Sequence, residues 1–287
     1  MNPSLFLRPA LTNVLVQRLN RGDSLNIYGE PGIGKTRLLE DIRGEAPPRT
    51  LVVSVSIRGY QYSYGGFCRA IWAEARQEGE APPTFDKVVD GLARKADRVF
   101  LFIDHFQAIL SNPDIDPAYD QGFIDTLNAV KNKSNMSLLL VSSHPINTLI
   151  LFVNKAPKTS VLHLDPIKVG SLSQEEIFAE LDRKLPDFDV DHRYWLASFL
   201  SDHERHYDLL NHMITQIAMD EAAQKDFRKK LQAWHKDFQQ AHNPAPMKRM
   251  VKFNTWVKAW GRVVPMDKVK GLVPGAVKLL KKMSGVK

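Results

Sequence analysis

The chain has 287 residues, of which 44% are apolar and 25% charged, with a formal net charge of +7, as expected for a folded globular protein. This composition excludes collagen-like, disordered and disulfide-scaffold classes, since the only cysteine, Cys68, cannot form an internal disulfide bond. No run approaches the ~20 apolar residues of a membrane-spanning helix, and residues 1–8 lack a signal-peptide pattern, so we expect a cytoplasmic protein.

Strand-like and helix-like segments alternate along the first 166 residues. Apolar runs rich in β-branched residues predict strands, and apolar residues at helical spacing predict helices. In chain order the predicted segments are a helix at Ala10–Arg21, a strand at Leu25–Tyr28, a helix at Lys35–Arg43, a strand at Thr50–Ile57, helices at Phe67–Ala75 and Phe85–Leu92, a strand at Val99–Ile103, a helix at Phe123–Val130, and strands at Met136–Val141 and Val161–Leu164. This alternation predicts an α/β fold with a mostly parallel sheet covered by helices on both faces (αβα).

The pattern becomes purely helical after Pro166. Ser173 and Glu176 form a capping-box pattern, and helical spacing continues near residues 195–200, 209–218 and 227–238. Asn243-Pro244-Ala245-Pro246 then interrupts any helix. We therefore predict an α/β domain at 1–166, a helical lid domain at 167–242 and a basic, amphipathic tail at 243–287.

A phosphate-binding loop follows the first predicted strand. Residues 29–36 match the pattern GxxxxGK(S/T) in full and stand between a strand and a helix, as this motif requires. Glycines let consecutive backbone N–H groups face an anion, and the helix N-terminus adds partial positive charge. The residues that we expect to bind the nucleotide are Gly29, Glu30, Pro31, Gly32, Ile33, Gly34, Lys35, Thr36 and Arg37. Lys35 would contact the β- and γ-phosphates, and Thr36 would bind Mg²⁺.

An acidic residue at the end of a buried strand completes such a site. The apolar run Val99–Ile103 ends at Asp104, two strands after the loop in chain order. This position predicts that Asp104 supports Mg²⁺ together with Thr36. The sequence thus predicts binding of ATP with Mg²⁺, and ATP is favoured over GTP because no NKxD-like base-reading motif occurs.

These motifs resemble the P-loop ATPases of the AAA-like and STAND superfamilies over roughly residues 5–220. The run Phe102-Ile103-Asp104-His105-Phe106-Gln107 is similar to the family's "hhIDEFQ" signature, and Leu5-Phe6-Leu7-Arg8 to its N-terminal "F-x-G-R-E" segment. The resemblance implies that Ser142 is a polar sensor at the end of the fourth strand. It also implies that Arg205, before Leu209-Leu210, is a lid arginine that contacts the γ-phosphate.

The chain departs from this family at His105, which stands where the family has the glutamate that polarises the attacking water. An imidazole can accept a proton, so His105 remains a candidate catalytic residue. Its reach and charge differ from those of a carboxylate, and we therefore expect slow or absent ATP hydrolysis. His203 and His206 are not spaced for a zinc site, so we expect none there.

The positive charge is concentrated at the C-terminal end. Residues 248–287 contain eleven basic residues and one acid, a net charge of +10, whereas residues 1–247 carry −3. Basic and aromatic side chains alternate at helical spacing, and the candidate contact residues are Lys248, Arg249, Lys252, Trp256, Lys258, Trp260 and Arg262. Such a surface suits DNA, a partner protein or an anionic membrane, and the resemblance favours DNA.

The leading hypothesis is an ATP-dependent switch that assembles on DNA or with an effector protein, as in antiphage defence or the control of transposition. One alternative is a conventional DNA-stimulated ATPase that uses His105 or a residue supplied by a partner. Another is a nucleotide-bound scaffold without hydrolysis, anchored to a partner or a membrane by its tail. The resemblance also implies assembly into oligomers, because such sites are commonly completed across a subunit boundary.

Overall fold

A computed structural model describes residues 6–110, 112, 114–153, 156–203, 205–220 and 222–242. The helices of this part of the chain are α1 (Pro9–Asn20), α2 (Lys35–Glu45), α3 (Tyr64–Glu74), α4 (Phe85–Lys95), α5 (Gln121–Val130), α6 (Gln174–Lys184), α7 (Val190–Ser201), α8 (His206–Met219) and α9 (Phe227–His242). The strands are β1 (Leu25–Tyr28), β2 (Thr50–Ser56), β3 (Arg98–Asp104), β4 (Met136–Ser142), β5 (Thr148–Val153), β6 (Ala156–Val161) and β7 (Asp165–Lys168). Short 3₁₀ turns lie at Ile57–Tyr60 and Phe106–Ile109.

Five strands form one parallel sheet in the order β2-β3-β4-β1-β7. Every residue of β4 is buried, and so are the last six of the seven residues of β3. Strands that are covered on both faces read as continuous apolar runs, and parallel neighbours require helical crossovers. The predicted α/β fold with a mostly parallel sheet is confirmed.

Successive residues of β3 enter two different cores. Val99, Leu101 and Ile103 pack in one apolar cluster, which also contains the aromatic rings of α3, α4 and α5. Phe100 and Phe102 point to the opposite face, where they join α1, α2 and β1. The side-chain period of two in a strand thus places one helical layer on each face of the sheet.

The last strand of the sheet lies later in the sequence than predicted. We expected a strand at Val161–Leu164, but the structure places β7 at Asp165–Lys168, beside β1. The sequence analysis did not predict a strand here because Pro166 lacks the backbone N–H that a sheet requires. The proline is tolerated because β7 lies at the edge of the sheet. The predicted domain boundary after residue 166 falls within β7.

An antiparallel hairpin precedes β7, and the sequence analysis did not predict it. Within the described part of the chain, β5 and β6 pair with each other and with no further strand, from Thr148 opposite Val161 to Val153 opposite Ala156. The first strand, TLILFV, is a continuous apolar run of the kind by which β3 and β4 were predicted, and it was overlooked. The second strand, APKTSV, contains a proline and a lysine and therefore gives a weaker signal.

The segment after β7 is helical, as predicted. Helix α6 begins with the predicted capping box, in which Ser173 and Glu176 satisfy each other's backbone N–H groups. The chain divides into two units, Met1–Leu231 and Gln232–Lys287, and the assignment of 167–242 as a lid domain stays a prediction. Within the described residues, none of the helices has the length and apolar composition needed to cross a bilayer.

Candidate nucleotide-binding site

The phosphate-binding loop connects the end of β1 to the start of α2. Gly32 and Gly34 have φ angles of +79° and +92°, a left-handed conformation that favours glycine. Gly34 is also the N-cap of α2, so the open N–H groups of the first helical turn follow directly. The backbone therefore has the shape and the polarity of an anion site.

Lys35 is folded against this loop. Its Nζ donates to the carbonyl oxygens of Gly29 at 2.6 Å and Glu30 at 2.9 Å. Burial lowers the pKa of the Lys35 ammonium, and nearby carboxylates oppose that shift. These carboxylates belong to Asp104, Glu30 and Asp208. The amine is thus a partly desolvated cation beside a loop shaped to bind an anion. This is the chemistry expected of a lysine that binds phosphate.

Thr36 and Asp104 meet at the carboxyl edge of the sheet. Thr36 Oγ1 donates to Asp104 Oδ2 at 2.9 Å, so the first turn of α2 is joined to the end of β3. Among the described residues, no group of three or more His, Cys, Asp or Glu side chains could hold a metal ion. Mg²⁺ commonly uses one or two protein oxygens and completes its shell with phosphate and water, so this oxygen pair fits a nucleotide-bound Mg²⁺.

His105 follows Asp104 in a strained backbone conformation. Its φ and ψ are +57° and +35°, and its N–H donates to Asp104 Oδ1 at 2.6 Å. On the neighbouring strand β2, Ser56 is in register with Asp104, and Ser56 Oγ lies 3.1 Å from His105 Nδ1. The side chain is 31% exposed. The imidazole is thus oriented by a hydroxyl group while part of the ring faces solvent.

Ser142, the predicted sensor, is buried in a polar cluster at the ends of β1 and β4. Its hydroxyl donates to His144 O at 2.6 Å and accepts from Asn26 Nδ2 at 2.9 Å. Asn26 also donates to Leu140 O and accepts from Ile146 N. The sequence analysis missed Asn26, although a buried amide within the apolar run of β1 was a visible signal. The sensor role of Ser142 stays a prediction.

The start of α8 rests on the loop. The N–H groups of Tyr207 and Asp208 both donate to Gly32 O at 3.1 Å. A Cβ atom built on Gly32 would lie 2.6 Å from Asp208 Oδ2 and 3.0 Å from Arg205 Cβ. One built on Gly34 would lie 3.0 Å from Tyr207 Cγ. The structure therefore brings Arg205, a residue predicted from the sequence, to the loop. Tyr207 and Asp208, which the sequence analysis did not predict, also contact the loop.

Arg8 joins the loop to more distant parts of the chain. It is 3% exposed, and its guanidinium donates to Ile33 O at 3.1 Å and Gly170 O at 2.8 Å. Burial lowers the pKa of Arg8, while the carboxylates of Glu176 and Asp41 oppose that shift. Arg8 had entered the sequence analysis only as part of a family-like segment. The structure identifies it as a residue that fixes the loop.

The other predicted ligand residues differ in their surroundings. Arg37 pairs with Asp41 at 3.0 Å and Glu40 at 3.8 Å, both on its own helix. Glu30 and Pro31 are exposed at the top of the loop, whereas Ile33 is buried beneath it. All the candidate residues of the tail, from Lys248 to Arg262, lie outside the described residues.

Comparisons with known proteins agree with this geometry. Residues 19–150 match the family model described as an AAA domain. The fold is similar to the Aeropyrum pernix ORC2 protein, solved as ADPNP-ADP complexes, with a TM-score of 0.52 and 16% identity over 76% of this chain and 64% of that one. It is also similar to a Walker-type ATPase of Pyrococcus abyssi, with a TM-score of 0.50 and 11% identity over 83% of this chain and 76% of that one.

Both structural matches are partial and have low sequence identity. The chain spans about 64% of the length of the ORC2 protein, and at these identities the likeness concerns the fold alone. No curated protein matches the sequence. The match of 19–150 includes both the loop and the strand that ends at Asp104. Residues 19–150 therefore match an AAA domain, and the matched range carries a complete P-loop.

Proposed function

We propose that the protein is an ATP-binding molecular switch with slow hydrolysis, which assembles on DNA or with an effector protein. The observation that carries the proposal is the hydrogen bond between Thr36 and Asp104, which brings the two oxygen groups expected of a nucleotide-bound Mg²⁺ together. In this proposal the loop residues 29–36 hold the phosphates through backbone N–H groups. Thr36 and Asp104 support Mg²⁺, which would neutralise charge on the β- and γ-phosphates.

Lys35 would supply an ammonium group to the phosphates of the nucleotide. Its present acceptors are two neutral carbonyl oxygens, and a phosphate oxygen is a stronger acceptor for an ammonium group. The amine therefore exchanges Gly29 and Glu30 for phosphate when nucleotide binds. The hydrogen bond to phosphate requires the protonated amine. It therefore weakens as the pH rises through the pKa of Lys35, which burial lowers.

His105 accounts for slow hydrolysis. Its Nδ1 faces Ser56, which leaves Nε2 as the ring nitrogen available to a water molecule. A neutral imidazole orients water less strongly than a carboxylate, since it has no negative charge to stabilise the proton that leaves. The nucleotide would then persist, and the protein would respond to occupancy more than to turnover.

The contact between α8 and the loop supports a switch. Two backbone hydrogen bonds join Tyr207 and Asp208 to Gly32, so a ligand that moves the loop also moves the start of α8. Arg205 stands at that start and would contact the γ-phosphate. Helices α6–α8 would thereby act as the lid that reports nucleotide.

The proposed partner rests on charge. The +10 net charge of residues 248–287 favours a polyanion, and salt-sensitive, sequence-independent contacts to DNA phosphates are its simplest use. An effector protein and assembly into oligomers belong to the same proposal, as does a setting in defence or transposition.

A second candidate is a DNA-stimulated ATPase. The Ser56–His105 contact favours it, because an oriented imidazole is what a working general base requires. Phosphate release from ATP, measured with and without double-stranded DNA, separates the two functions. The switch predicts little release under both conditions, and a gain in His105→Glu. The enzyme predicts DNA-stimulated release that is lost in His105→Glu.

The DNA proposal has its own test. Removal of residues 248–287 should weaken binding to a fluorescent DNA duplex at low salt by more than tenfold, and should flatten its salt dependence. An unchanged far-ultraviolet circular dichroism melt of the shortened chain is the control for folding. Equal affinity of the two chains for DNA would contradict a role of the tail in DNA binding.

A further inference from the structure

A carboxylate lies directly on the phosphate-binding loop. Asp208 Oδ2 accepts a hydrogen bond from Arg205 Nη2 at 2.8 Å, and the two residues approach the backbone of Gly32 from the same side. The side chains are about one third exposed, 32% for Arg205 and 37% for Asp208. The pair is therefore accessible to a ligand that enters the loop.

The position of this pair is fixed by the backbone. Arg205 has a φ of +56°, which turns the chain into α8, and the N–H groups of Tyr207 and Asp208 are bonded to Gly32 O. Asp208 is also close enough to Lys35 to act on its charge. One carboxylate thus interacts with both cations expected to contact a γ-phosphate.

We propose that Asp208 determines the preference of the site between nucleoside triphosphate and diphosphate, by holding Arg205 where a terminal phosphate would otherwise bind it. This inference rests on the proposed nucleotide binding at the loop. A γ-phosphate must separate Arg205 from Asp208 and also approach a like charge. A diphosphate lacks that group and leaves the pair intact, so Asp208 penalises the triphosphate alone.

The test is the ratio of two dissociation constants in the full chain. Titration with ADPNP, which resists hydrolysis, and with ADP gives Kd for each in the presence of Mg²⁺. Asp208→Asn should tighten ADPNP relative to ADP on the order of tenfold, because it removes the like charge and frees Arg205. The shift should shrink at high salt, since the pair is partly exposed.

A matched variant controls for net charge. Asp202 is an exposed carboxylate at the end of α7, six residues before Asp208 in sequence. Asp202→Asn removes one negative charge away from the Gly32 contact, and it should leave the ADPNP-to-ADP ratio within twofold of the unsubstituted chain. Thermal melts of both variants without nucleotide confirm that each is folded.

A second substitution tests the route through Arg205. In an Arg205→Gln background, Asp208→Asn should change the ratio by less than half as much on a logarithmic scale, because no guanidinium remains to be released. If Asp208→Asn leaves the ratio unchanged, or shifts both constants equally, the inference is wrong. If the unsubstituted chain binds neither nucleotide, the proposed function fails instead.

Discussion

Thr36 Oγ1 donates a 2.9 Å hydrogen bond to Asp104 Oδ2, although Thr36 lies in α2, which follows β1, and Asp104 ends β3, which is not adjacent to β1 in the sheet. Strand β1 leads into the loop and α2, while β3 ends at Asp104, and β4 lies between the two strands. Since all three strands are parallel, their carboxyl ends meet at one edge. The fold thus places the two oxygen groups side by side.

Thr36→Val should remove the benefit of Mg²⁺ for ATP binding. Valine keeps the branched shape but lacks the hydroxyl group that would serve as a ligand. Titration of ATP with Mg²⁺ and with EDTA should differ by tenfold or more in the unsubstituted chain, and by less than threefold in the variant. Thr36→Ser, which keeps the hydroxyl group, should resemble the unsubstituted chain. A full Mg²⁺ effect in Thr36→Val would exclude this residue as a ligand.

Gly32→Ala should destabilise the protein by more than a left-handed alanine alone explains. A left-handed conformation costs a non-glycine residue roughly 1–2 kcal/mol, and the new methyl group would also lie 2.6 Å from Asp208 Oδ2. Gly79→Ala is the control, because its φ is +81° and a Cβ there meets nothing within 4 Å. Urea unfolding compares the two variants. Equal losses would show that Asp208 yields without cost.

The sequence predicted those parts of the site that belong to local motifs, namely the loop at 29–36 and Asp104 at the end of an apolar run. The loop and Asp104 follow apolar strands, and their meeting point follows from the geometry of a parallel sheet. Asp208 and Arg8 could not be found in this way, because each acts through a partner far away in sequence. The hydrogen bond from Arg8 to Gly170, for example, spans 162 residues, and no local pattern records it.

Asn26→Leu should destabilise the protein by about 2–4 kcal/mol. The substitution leaves the buried N–H of Ile146 without an acceptor and removes a donor to the Ser142 hydroxyl. Asn13→Leu is the control, since Asn13 is exposed on α1, and it should change the free energy of unfolding by less than about 0.5 kcal/mol. A loss below about 1 kcal/mol for Asn26→Leu would mean that water replaces the amide.

Folding stability should fall as the pH drops through about 6.5, in part because of His206. This residue is buried, and burial, followed by the charge of Arg8, lowers its pKa in the folded protein below the ordinary 6.5. As the pH falls, His206 is protonated in the unfolded chain before it is protonated in the folded protein. The contribution of His206 to the free energy of unfolding therefore decreases between 6.5, its ordinary pKa, and its lower pKa in the folded protein, and is constant below both. His206→Gln should remove this component, whereas the exposed His163→Gln should retain it.

The comparison for His206 uses urea unfolding at pH 7.5 and 5.5. Carboxylates and other histidines also titrate in this range, so the quantity that decides is the difference between each variant and the unsubstituted chain. A pH dependence in His206→Gln equal to that of the unsubstituted chain would contradict the assignment.

The measurement that tests the account most directly is the binding of ATP with Mg²⁺ to the full chain by isothermal titration calorimetry. The account predicts saturable binding of one ATP per chain and a loss of at least a hundredfold in affinity in Lys35→Ala. Lys87→Ala, which removes an exposed lysine from α4, should bind as the unsubstituted chain does. Absence of ATP binding, or binding that is equal in Lys35→Ala, would contradict the claim that this loop is a nucleotide site.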